Sequence, residues 1–138
     1  MKKAIVHGFF AAAAIVLFFS VQGCGEPCTS DPAPVSAIGS CSGAVPAGGE
    51  VTIQVRVCPT SCATTICGSE FVNGQIEIFP SFQECSSCEA GCSVQPASCS
   101  FTAPSTPGPY RIAYPTASGL DYYNVTVSAA GSTTFCAL

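Results

Sequence analysis

Val51, Ile53, Val55 and Val57 alternate with Thr52, Gln54 and Arg56, the period of two that buries one face of a β-strand and wets the other. Ala47-Gly48-Gly49 supplies the turn before it. From Val35 onward the same period recurs. It predicts strands over residues 70–72 and 75–79, broken at Asn73-Gly74, a dipeptide suited to a hairpin turn or a bulge. Residues 98–103 follow, then 110–114 between Pro109 and Pro115, and 122–129, where Tyr123, Val125 and Val127 share a face. Residues 133–137 read as a short edge strand. No stretch places apolar residues at helical spacing. Seven or so short strands between Gly/Pro turns predict an all-β, antiparallel β-sandwich or barrel.

The amino terminus follows a different pattern. Lys2 and Lys3 precede an apolar run over residues 8–19 (GFFAAAAIVLFF), which predicts a signal peptide over residues 1–23. The run is shorter than the roughly 20 residues of a spanning helix. At its end, Val21-Gln22-Gly23-Cys24 resembles the lipobox of bacterial lipoproteins. The resemblance implies a diacylglycerol thioether on Cys24, cleavage before it and a further acyl chain such as palmitate on the new amino terminus. Two or more chains anchor stably in a membrane. Gly25 after the cysteine points, by analogy with sorting in enteric bacteria, to the outer membrane. Ordinary signal-peptidase cleavage after Gly23 is the alternative. Residues 24–34 then form the lipidated N-terminus and a short tether rich in turn formers, and 35–138 form the domain, held close to the envelope membrane.

Composition supports export. Eleven cysteines in 138 residues indicate a disulfide scaffold, and the odd count has a use if Cys24 carries lipid. Cys28, Cys41, Cys58, Cys62, Cys67, Cys85, Cys88, Cys92, Cys99 and Cys136 then form an even set that can pair completely. Residues 24–138 contain no His, Lys, Met or Trp, and Arg56 and Arg111 are their only cations against eight acids, a net charge of −6. Such a chain has no electrostatic footprint for nucleic acid.

Gly108-Pro109-Tyr110-Arg111-Ile112 resembles the G-x-Y-x-C segment of immunoglobulin-like domains, whose tyrosine hydrogen-bonds back across a corner at the start of strand F. The resemblance implies a disulfide-rich, immunoglobulin-like sandwich with residues 51–57 as strand B, although Ile112 stands where the core cysteine would be and no tryptophan exists for strand C. In that arrangement strands B and E are antiparallel neighbours, which brings Cys58 towards Cys99 and suggests that pair. Fold alone carries no activity over.

Residues 81–99 read as a long loop without strand pattern, fastened by cysteines in place of a core. Its Cys85-Ser86-Ser87-Cys88 admits a redox dithiol or half a thiolate metal site, but the motif lacks the βαβ context of a thioredoxin-like site, and no histidine is available as a metal ligand. Structural disulfides, no metal and no cofactor are the expectation. Without His or Lys after residue 7 there is no triad, dyad or Schiff base. Glu77, Glu84 and Glu89 are the formal candidates for paired carboxylates, but nothing in their spacing predicts it, and solvated surface charge is the expected reading of each. Asn124-Val125-Thr126 fits a glycosylation acceptor but reads as a strand face. Of Tyr110, Tyr114, Tyr122 and Tyr123, Tyr122 has the parity for exposure. The expectation is a non-enzymatic, lipid-anchored binding or structural module of the cell envelope, with the loop over 82–99 contacting an envelope or surface protein. The alternatives are an exported redox or metal protein using Cys85 and Cys88, and a hydrolase inhibitor presenting the stapled loop.

Overall fold

A computed structural model describes residues 28–60, 62–85 and 91–138. The signal segment and Cys24, with Cys88 and Glu89, lie outside the described residues. Ten strands follow in order: β1 Thr29–Pro32, β2 Ala37–Ile38, β3 Val45–Pro46, β4 Glu50–Val57, β5 Thr64–Val72, β6 Gln75–Glu84, β7 Gln95–Thr102, β8 Gly108–Thr116, β9 Gly119–Ser128 and β10 Phe135–Cys136. Among the described residues no helix forms.

The alternation in β4 buries Val51, Ile53, Val55 and Val57 completely. They face Ile76, Ile78, Ile112, Val125 and Val127 in one apolar cluster, the burial that drives the two sheets together. Sheet order is β1-β6-β8-β9-β3 with β5 on β6, and β10-β4-β2 with β7 on β4. Both central strands are built alike. β5 covers one edge of β6 along its length, while the other edge is divided between β8 at Ile76 and Glu77 and β1 at residues 81–84. β7 likewise covers one edge of β4, and β2 and β10 divide the other.

Several expectations change. The sheets are mixed, not purely antiparallel, because β6–β8, β3–β9 and β10–β4 run parallel. The described part of the tether, expected over 24–34, is partly strand: β1 pairs with β6, and Ala33 behind it is fully buried. The loop expected over 81–99 is shorter, since β6 extends to Glu84 and β7 begins at Gln95. These extensions are rich in Ser, Thr, Gln and Pro, so their pairing comes from neighbouring strands and not from an apolar period.

The Cys58–Cys99 pair does not form. Val57 stands opposite Gln95, so Cys99 lies opposite Ile53 in mid-strand with its side chain in the core. Cys99 bonds Cys67 of β5 across the two sheets, with Cα atoms 5.2 Å apart, and Cys58 bonds Cys92 just beyond the β4–β7 ladder. Cys28–Cys85 fastens the start of β1 to the end of β6, and Cys41–Cys136 ties the chain after β2 to β10. Cys62 is disulfide-bonded as well.

At the start of β8 the Tyr110 hydroxyl donates to the carbonyl of Thr106 at 2.9 Å, a bond to the backbone four residues upstream. Asn73 and Gly74 have φ of 51° and 78°, the two positive values of a type I′ hairpin turn joining β5 to β6.

Candidate functional site

The chemistry nominated from sequence is dispersed by the fold. Cys85 is bonded to Cys28, 57 residues away, which removes the Cys85/Cys88 dithiol. Glu77 and Glu84 are seven residues apart on one strand, which places them about 23 Å apart on opposite faces, too far for paired carboxylate chemistry. Glu84 instead accepts a hydrogen bond from the Thr60 hydroxyl. Among the described residues no three His, Cys, Asp or Glu side chains gather as a metal site. Of the nominated loop, residues 91–95 are exposed, and 86–90 lie outside the described residues.

The four tyrosines have separate roles. Tyr110 makes the corner bond and meets the Phe71 ring edge to face at 5.9 Å. The Tyr123 hydroxyl accepts the Cys41 backbone N–H at 2.8 Å. Tyr114 is buried opposite Asp121 on β9, and burial, then the charge of Asp121 and a hydrogen bond to it, raise its hydroxyl above the ordinary tyrosine pKa. Tyr122 is 45% exposed.

A cleft of about 360 Å³ opens where β1 and β8 part along the edge of β6. Pairing register and period-two alternation define the side chains of this outer face. Glu70 of β5, Glu77 of β6, Ala113 of β8 and Tyr122 of β9 form one row across it. One step along the strands come Gly68, Phe79, Pro115 and Leu120, and the last three line the cleft.

Each position has a physical reason. A Cβ on Gly68 would collide with the Phe79 ring, so that ring lies across the bare glycine backbone and is held on this face. Arg111 places its guanidinium 4.9 Å from the centroid of the Tyr122 ring, within cation–π range. Glu77 accepts a hydrogen bond from the Gln75 amide at 2.8 Å, but it also stands directly across from Glu70, and like charges so placed repel.

Ile66, Phe79, Leu120 and Tyr122 all occupy this face and are half exposed or more nearly so than buried, with Leu120 the most open at 63%. Clustered exposed apolar side chains mark interaction surfaces, whereas single ones do not. The arrangement can bind apolar groups and read charge at its rim, where Asp31 and Glu77 line the cleft with Ser30 and Ser81. The alternation pattern carried a trace of it. Phe79 and Leu120 are large apolar residues out of phase with the core positions Ile76, Ile78, Tyr123, Val125 and Val127.

No family model matches the chain, and searches of curated proteins and of solved structures found no match.

Proposed function

We propose that the chain is a membrane-anchored, exported lipoprotein of the bacterial cell envelope that acts as a non-enzymatic binding or structural module through the outer face of its larger sheet. The observation that carries this reading is the clustering of Phe79, Leu120 and Tyr122 on a face that holds an open cleft. Disulfides among the described cysteines support an oxidising compartment, and Cys24 after an apolar segment supports lipid attachment. The Tyr110–Thr106 bond and the antiparallel β4–β7 and β8–β9 pairs support an immunoglobulin-like kinship, from which the parallel β6–β8 pair departs. With Cys28 bonded to Cys85, the domain lies within a few residues of the anchor on the outer membrane.

Radiolabelled palmitate fed to cells should enter the protein and disappear in Cys24→Ser, which should also leave the membrane fraction. Labelling of Cys24→Ser at the level of the unaltered chain removes the anchor from this proposal. Photo-crosslinking from Leu120 tests the face itself: contact from there and none from Phe135, exposed on the smaller sheet, is the expected result.

A further inference from the structure

We infer that the outer face of the β5-β6-β8-β9 sheet packs against the same face of a second copy of this chain, about a two-fold axis running along the strands. The inference rests on the reading of this face as the contact surface and names its occupant.

Such an axis preserves level along the strands and reverses their order, so β5 of one copy faces β9 of the other and β6 faces β8. The row Gly68, Phe79, Pro115, Leu120 then meets itself reversed. Phe79 sets against Pro115 of the second copy, and Leu120 enters beside the ring that lies over Gly68. At the next level Glu77 meets Ala113 of the second copy, with Arg111 two residues before it on β8.

Charge selects this occupant. The face carries adjacent carboxylates, Glu70 and Glu77, on one side and Arg111, held over Tyr122, on the other. A purely basic partner would be opposed by Arg111, and a purely acidic one by the two glutamates. A surface bearing both signs in reversed order satisfies each, and the face itself is such a surface. Arg111 is one of two cations after residue 23, and each copy sets its Arg111 towards the other's glutamate pair, twice by symmetry. The axis also leaves the Cys28–Cys85 ends of both copies at one pole, as two chains anchored in one membrane require.

The test uses the full chain expressed with its own signal, carrying a photo-crosslinking amino acid at Leu120, or at Ile66, which is also half exposed. Both probes should give a product of twice the chain mass made only of this chain, and a probe at Phe135, half exposed on the smaller sheet, should not. R111E and E77R should each reduce that product at least tenfold. Co-expressed with different tags, they should restore it as a mixed pair, because each then meets an opposite charge. L120D, altering an open position and neither charge, should abolish crosslinking from Ile66. The inference is overturned by absence of self-crosslinking, by an equal product from Phe135, by a product indifferent to both charge reversals, or by failure of the mixed pair to recover. A different protein crosslinked from Leu120 also overturns it while leaving the face as a contact surface.

Discussion

Removing the Cys67–Cys99 bridge by the double substitution to alanine is the most direct probe of how the two sheets are held. The bridge closes 32 residues, which alone restricts the unfolded chain by about 3.7 kcal/mol in the loop-entropy treatment. The overlapping Cys58–Cys92 bridge spans 34 residues and already closes much of that loop. A path left between Cys67 and Cys99 runs through it, over about 17 residues, and lowers the contribution to about 3 kcal/mol. Cys99 is fully buried, so losing its sulfur leaves a small void that adds about 1 kcal/mol. Denaturant unfolding of the oxidised protein should therefore show a loss of about 4 kcal/mol. Serine at position 99 in place of alanine should cost a further 1 kcal/mol or roughly more, because a hydroxyl is then buried among Val, Ile and Phe side chains. Cys28 and Cys85 are exposed, so serine and alanine should be equivalent there. A loss below about 1 kcal/mol for the Cys67/Cys99 double variant, or no difference between serine and alanine at 99, would refute the placement of this bridge in the core.

Tyr123→Phe should cost about 1–3 kcal/mol by stranding the part-buried Cys41 N–H, and Tyr110→Phe about 1 kcal/mol, since Thr106 is exposed to water; chemical denaturation measures both. Gly74→Ala should destabilise more than Asn73→Ala, because both positions hold positive φ and only glycine adopts it freely; thermal unfolding ranks them. Tyr114 has its pKa raised by burial and Asp121, so the unfolded chain loses this proton first. The stability it supports is complete below the ordinary tyrosine pKa and falls as pH rises above it, and Tyr114→Phe should flatten that alkaline decline in unfolding midpoints measured above about pH 9.5.

Local patterns are legible where the strand is set by its own residues. The buried valines of β4, the turn at Asn73-Gly74 and the exposure of Tyr122 follow from alternation or turn chemistry within a few positions, whereas the upstream bond of Tyr110 is implied by the resemblance to immunoglobulin-like domains. The first half of β5, the last part of β6 and β1 were not legible. Their Ser, Thr, Gln and Pro residues pair because a neighbour is already in place.

The same division holds for the candidate site. Phe79, Pro115 and Leu120 are far apart in sequence and become neighbours only through the β6–β8 and β8–β9 registers, while the cysteine segment that drew attention in the sequence is divided among bridges to distant strands. The sequence by itself determined an all-β, cysteine-rich chain with no His or Lys over residues 24–138, because alternation and composition are local properties. Tertiary structure alone decided which cysteines meet and which apolar residues share a face, because a register shift of one residue along a strand reverses both.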